Sequence, residues 1–236
     1  MTRHELEEQI QHDRFRDAVS GAYNYASTNR EQVIRLTIAV ACLLAIVALV
    51  IWYLGYQRSV RQHELAAAFA VAEAQVGTAS GAQQNYPTKD AKQQAEMKAF
   101  GNVVAKYGGS REGLIARYYV GTLKANRGDS KGAEADLRAV ADSGSECAAL
   151  AKIALAQLYA GENRVNDAKA ILRGIVAKPS DLVSKNQAQI LLAQLEQTTD
   201  PKDARKILQS LRAPGAPGRA SAASRAADQI LGEMSR

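Results

Sequence analysis

The chain of 236 residues holds only three histidines, two cysteines, one tryptophan and three phenylalanines, and each shortage removes a class of chemistry. His4 and His12 lie near the N-terminus and His63 lies just beyond an apolar run, so neither a catalytic triad nor a metal cluster assembles from them. Cys42 sits inside that run and Cys147 has no partner outside it, which excludes a disulfide framework and leaves the redox compartment open. Gly108 and Gly109 follow a helical rather than a strand-like segment, so no phosphate-cradling loop is present. Carboxylates occur mostly singly, at polar helix positions. The sequence therefore reads as non-catalytic, with no catalytic, cofactor-binding or metal-binding residue and no cofactor.

What is abundant is Ala, Leu, Gln, Lys, Arg and Glu, the straight-chain helix formers, which points to an all-α protein. The net charge is +6. Residues 1–35 carry five Arg against six Asp or Glu, so the basic excess belongs to the remainder. Its Lys and Arg are scattered at helical surface spacing with no aromatic residues between them, which reads as a solvated helix surface rather than a nucleic-acid interface.

From Leu36 to Leu54 run 19 residues without a charge, about 28 Å of helix at 1.5 Å per residue, close to the hydrocarbon thickness of a bilayer. Trp52, Tyr53 and Tyr56 cluster at the far end, and Arg35 and Arg58 close the two ends, as headgroup interfaces favour. The run is too long and its leader of 35 residues too extended for a cleavable signal peptide. An uncleaved signal-anchor is expected. Arg16, Arg30 and Arg35 precede it and Arg58 and Arg61 follow, a small bias toward a cytosolic N-terminus, which in a Gram-negative cell puts the C-terminal part in the periplasm.

Residues 5–26 form a weak amphipathic pattern around Leu6, Ile10, Val19 and Ala22. Beyond the apolar run, Leu65, Ala68, Phe69 and Ala72 keep helical spacing, so the helix is expected to continue out of the membrane. A polar loop, Gly77–Asp90, then precedes a helix over about 91–106 with Ala95, Ala99, Phe100, Val103 and Val104 on one face, for which Gly108 and Gly109 offer a left-handed cap. The expected divisions are a cytosolic segment 1–35, a span 36–56, a juxtamembrane helix and loop 57–90, a helical repeat domain 91–212, and a linker with a capping helix 213–236.

The repeat is the strongest signal. Ala133, Leu137 and Val140, then Ala168, Leu172 and Ile175, then Ala204, Leu208 and Leu211 share one internal spacing and lie 35 and 36 residues apart, near the period of tetratricopeptide repeats. Before each set, an apolar residue beside a small one is expected where paired helices approach. Val120–Gly121 and Leu155–Ala156 fit, whereas Leu191–Leu192 fits only the apolar half. Tyr159 stands where such repeats place a packing aromatic, and Pro179 and Pro214 follow the second helices. Asp200, Pro201 and Asp203 suit a helix start. Ala213–Gly218 breaks the chain before a last short helix, about Ser221–Met234, that would cover the end of the array.

These residues resemble a degenerate tetratricopeptide-repeat array. The order of parts is similar to that of the tetratricopeptide-repeat-like ancillary subunits of the bacterial Sec translocon. The likeness spans nearly the whole chain and is densest from Phe100 to Val176, with the Lys-Tyr-Gly turn at Lys106–Gly108 and the Ala-Leu-Ala-Gln-Leu-Tyr run at Ala154–Tyr159. It implies a single transmembrane helix followed by a tetratricopeptide-repeat-like α-solenoid, an adaptor acting beside the translocon, periplasmic chaperones and exported chains, and no nucleic-acid partner. A scaffold for another envelope assembly, such as cell division or outer-membrane biogenesis, is the alternative. First helices line the binding groove of such arrays, and in this register they present Tyr118, Thr122, Asn126, Gln157, Asn186 and Gln189. That face is polar and uncharged, with Tyr118 and Thr122 where a basic clamp for acidic C-termini would otherwise stand.

Overall fold

A computed structural model describes residues 30–77, 85–212 and 222–235. The pattern over residues 5–26, His4, His12, half of the Gly77–Asp90 loop (78–84) and the Ala213–Gly218 break with Pro214 lie outside the described residues. Residues 1–59 and 60–236 form two compact units. The described residues are all-α apart from one two-residue bridge: helices α1 (Arg30–Glu73), α2 (Lys89–Tyr107), α3 (Arg111–Asn126), α4 (Ser130–Ala141), α5 (Ala148–Gly161), α6 (Val165–Ala177), α7 (Lys185–Glu196), α8 (Pro201–Leu211) and α9 (Ala222–Glu233). The bridge pairs β1 (Gln75–Val76) with β2 (Asn85–Tyr86) in parallel, closing the polar loop that follows α1.

In the first unit the apolar run is helical and exposed among the described residues: Leu44, Ile51 and Trp52 are 64, 66 and 68% exposed. By length and composition α1 can cross a membrane. Its polar side chains are satisfied within the helix, Thr37 Oγ1 donating to the Val33 carbonyl at 2.8 Å and Gln57 Nε2 to Tyr53 Oη at 3.0 Å, as an apolar surrounding requires.

The second unit begins with the last turns of α1. Leu65 and Ala68 are buried with Phe100 and Val103 of α2 and Ala116, Val120 and Leu123 of α3. Phe69, Phe100 and Tyr119 form a closed aromatic triangle with centroids 5.4, 5.0 and 4.9 Å apart, offset and edge-on arrangements that ring quadrupoles favour. Arg61 Nε meets the buried Glu112 carboxylate at 3.3 Å and Lys106 Nζ meets Glu64 at 2.8 Å, so polar contacts fix the rotation of α1 that the rings leave open.

From α3 onward each helix packs on its neighbours in sequence, and the repeat register holds. Ala133, Leu137, Val140, Ala168, Leu172, Ile175, Ala204 and Leu208 are buried, and Leu211 is partly so. A Cβ at Gly121 would lie 2.8 Å from Leu137 Cγ, which is why the small residue is needed where α3 meets α4. In the third repeat the apolar and small pair is Leu192–Ala193, not Leu191–Leu192: both are buried, Ala193 completely. The step from Ala156 to Ala193 is longer because Pro179 stops α6 and a bend through Val183 is inserted before α7. The third repeat is therefore complete.

Helix starts follow their side chains. Thr88, Ser110, Asp129, Ser184 and Asp200 each accept the N–H three residues on, so α2 begins at Lys89, ahead of the expected start near residue 91. The left-handed cap expected after α2 is not formed, since Gly108 has φ −53°. Instead the turn is tight: a Cβ at Gly108 would lie 2.8 Å from the Val104 carbonyl, and one at Gly113 would overlap the Tyr107 carbonyl. Left-handed residues appear at Gly128 and Asn163, φ 82° and 62°, the same place in successive repeats. At the C-terminus Ala227 and Ile230 of α9 are buried with Leu208 and Ala193, covering the face that an open array leaves exposed.

Ala168 lies at a helix contact with no accessible surface. Ala168→Leu is expected to overpack it and cost about 1–3 kcal/mol, whereas Ala170→Leu at an exposed position stays within about 0.5 kcal/mol. Thermal unfolding of the full chain in detergent, followed by circular dichroism, checks both; equal melting temperatures would contradict the register.

Candidate protein-binding grooves

The six residues singled out on the first helices separate into distinct environments. Tyr118 on α3 is half-buried, packs against the core that surrounds Leu137 and Tyr159, and meets Tyr119 edge-on at 5.3 Å. Burial pushes its phenol above the usual range. Thr122 is half-buried and its hydroxyl donates to the Tyr119 carbonyl at 2.9 Å. Asn126 is exposed at the end of α3, and Gln189 is half-buried on α7. Gln157 of α5 and Asn186 of α7 are exposed and line one groove together.

That groove, about 580 Å³, runs between α5 and α7, with the start of α9 contributing Ala222 and Ala223. Ile153, Ile190 and Leu191 form its apolar part, and Gln157, Asn186, Gln187 and Gln194 its polar part, with no charged side chain in the lining. Gln187 and Gln194 escaped the sequence reading. The signal was present for one of them: once Ala193 is matched to Ala156, Gln194 takes the place of Gln157.

A larger depression of about 1020 Å³ opens on the opposite side, between α4 and α6, with Ala148, Ala149, Leu155 and Tyr159 of α5 as part of its lining. Second helices wall it on either side of the first helix α5, and no repeat argument anticipated it. Its lining carries both signs of charge, and several of those groups already satisfy one another. Tyr159 Oη donates to Glu134 Oε1 at 2.9 Å and receives Arg138 at 2.7 Å. Arg164 donates to Glu134 Oε2 and to Asp167, both at 2.9 Å, and its guanidinium stacks 3.8 Å over the Tyr159 ring. The hydrogen bond from Tyr159, with that from Arg164, holds the Glu134 carboxyl below the usual carboxylate range.

Arg164 stands at the N-cap of α6, where the other second helices carry Asp129 and Asp200. A guanidinium cannot accept a backbone N–H, so the cap is given up and the side chain ties α4, α5 and α6 together instead. The next repeat uses the same positions with the charge of one of them reversed. Lys169 and Arg173 of α6 replace Glu134 and Arg138, and they meet Glu196 of α7 at 3.7 and 2.9 Å, Glu196 standing in for Tyr159.

Comparison with protein-family models finds one match, to the tetratricopeptide repeat-like domain, over residues 32–179. The match covers more than half of the chain, and the chain belongs to that family. It takes in most of α1 as well as α2 through α6, the same stretch that carries the aromatic triangle and the Glu134 network. No curated protein and no solved structure matches the chain.

The Glu134 network sets a pH dependence whose direction follows from its depressed proton affinity. The stabilisation is present above the ordinary glutamate value, about 4.3, and is lost as pH falls through the lower folded-state value. Glu134→Gln is expected to cost about 1–2 kcal/mol at neutral pH, and the melting temperatures of wild type and variant should draw together as pH falls below the ordinary glutamate value, meeting only below the depressed one. A difference that persists undiminished in acid would show that the loss is packing, not charge.

Proposed function

We propose that this chain is a membrane-anchored, non-catalytic adaptor that captures extended polypeptide in the groove between α5 and α7. The observation that carries the proposal is the lining of that groove: four amide side chains over an apolar floor, without a formal charge. Asn and Gln amides both donate and accept, so they match the peptide backbone whatever its side chains, and an uncharged wall penalises neither acidic nor basic segments. Such a surface suits a partner met in many sequences, as exported chains are, better than one fixed charged tail.

The membership of the repeat family supports protein binding, since such scaffolds present helix faces to other proteins. The further step, to a place beside the Sec translocon and its periplasmic chaperones, draws its support from the order of parts, the Lys106–Gly108 turn and the Ala154–Tyr159 run. In this reading residues 1–35 are cytosolic, 36–56 span the inner membrane as an uncleaved signal-anchor, 57–90 stand just outside it, 91–212 bind partners in the periplasm, and 213–236 cap the array. The exposed apolar surface of α1, flanked by Trp52, Tyr53, Tyr56 and Arg58, supports the anchor.

Gln157→Glu with Asn186→Glu places charge in the groove at two exposed positions, so helicity is expected to be retained while crosslinking to the native partner in membranes falls several-fold. Retained capture would remove the groove as the site. Partners recovered from cell-division or outer-membrane assembly machinery would assign a scaffold instead. For topology, protease added to spheroplasts should digest the chain beyond about Gln57; survival of the whole C-terminal part would overturn the orientation.

A further inference from the structure

The C-terminal repeat contains a buried acid whose surroundings differ from those of every other ion pair in the described residues. Glu196, the last residue of α7, has no accessible surface. Its Oε1 accepts from Arg173 at 2.9 Å and lies 3.7 Å from Lys169 Nζ, both on α6. Lys169 is shared with Thr199, donating to its hydroxyl at 2.7 Å, and the Arg173 side chain is more than half exposed, so water screens it. Glu196 Oε2 is buried and receives no hydrogen bond. From α8 the carboxylate of Asp203 faces it, held in the first turn where Asp200 caps the Asp203 N–H. From α9 the acid Asp228 is engaged elsewhere, by Arg212 at 2.8 Å.

Two carboxylates therefore meet across the contact between α7 and α8, one of them buried with an unpaired oxygen. A proton taken from solvent onto Glu196 Oε2 resolves both problems, because the carboxyl O–H then donates to the Asp203 carboxylate and like-charge repulsion vanishes. We propose that Glu196 and Asp203 form a proton-operated latch that holds α8, and α9 upon it, against α7: closed when the pair keeps one proton, loosened when it loses it. Burial first, and Asp203 second, raise the proton affinity of Glu196 above the usual carboxylate range. A raised folded-state value stabilises the closed form at pH below the ordinary glutamate value, and that stabilisation is lost as pH rises through the raised one.

The latch has a consequence for the groove. α9 packs through Ala227 and Ile230 on Leu208 of α8 and Ala193 of α7, and its first residues, Ala222 and Ala223, line the groove beside Ile190 and Leu191. Loosening α8 and α9 moves one wall of that groove, so rising pH reshapes the surface to which partner capture is assigned. This last step rests on the proposed function; the latch does not, and its test uses no partner.

The test is amide hydrogen exchange of the full chain in detergent micelles at pH 5 and pH 8, corrected for intrinsic exchange rates. Protection in α8 and α9 is expected to be several-fold higher at pH 5 than at pH 8, with α2 to α4 unchanged. Glu196→Gln mimics the protonated acid and should give high protection in α8 and α9 at both pH values. Asp203→Asn removes the facing carboxylate and should also flatten the dependence, which keeps the proposal open to test should the first variant fold poorly. Protection in α8 and α9 that is independent of pH in the wild type, that rises with pH, or that keeps its full pH dependence in either variant would overturn the latch.

Discussion

The rest of the repeat domain depends on the close approach of paired helices at a buried small residue. Ala133, Ala168 and Ala204 have no accessible surface, and on the preceding helices the small residues Gly121, Ala156 and Ala193 are buried as well. With nothing larger than a methyl group at these places, neighbouring helices interlock through the leucine and valine side chains on either side, as Leu137 does against Gly121. Interiors pack at crystal-like density and tolerate little extra volume, so this one requirement sets the angle and spacing that every later helix inherits. α9 ends the sequence of contacts by burying Ala227 and Ile230 where a further repeat would have packed.

Between repeats the apolar contacts recur, but the polar ties do not. At the first junction a tyrosine hydroxyl, two arginines and a glutamate close a network around Tyr159. The second junction puts a buried glutamate in the place of the tyrosine and reverses the charge of its partner on the preceding helix. The first arrangement depresses the proton affinity of its acid, the second raises it, because Glu134 is surrounded by donors while Glu196 faces another carboxylate. Successive junctions of one fold thus surround their acids in opposite ways, the first with hydrogen-bond donors and the second with a facing carboxylate.

The entry to the domain is held differently again. Phe69, Phe100 and Tyr119 interlock the last turns of α1 with α2 and α3, and Arg61 with the buried Glu112 adds a directional contact. The three phenylalanines of the chain are few, and two of them are spent at this junction, where aromatic surface buries most area per residue. A helix that is apolar and exposed among the described residues along Leu36–Leu54 becomes a core element from Leu65 onward.

Length, periodicity and local chemistry were enough, from residues alone, to establish the all-α class, the apolar helix and its continuation past the apolar run, the 35-residue repeat, and the cap at Asp200 with Pro201. Each of these depends on neighbours within a few residues or on a spacing that recurs, and such signals survive without coordinates. Three features were decided only by packing. Gly108 is right-handed, and glycine is needed there because the Val104 carbonyl leaves no room for a Cβ, a contact across a turn rather than a conformational preference. The third repeat aligns through Leu192–Ala193 because the bend after Pro179 lengthens one interval, and register across an insertion is set by what fits against Leu208, not by counting. The candidate face was likewise only half legible: Gln157 and Asn186 do share a groove, but Tyr118 packs on the core, Thr122 bonds to its own helix and Asn126 stands apart. Helical phase tells which residues lie on the first helices; which of those converge depends on how far apart α5 and α7 are held, and that distance is a property of the assembled core.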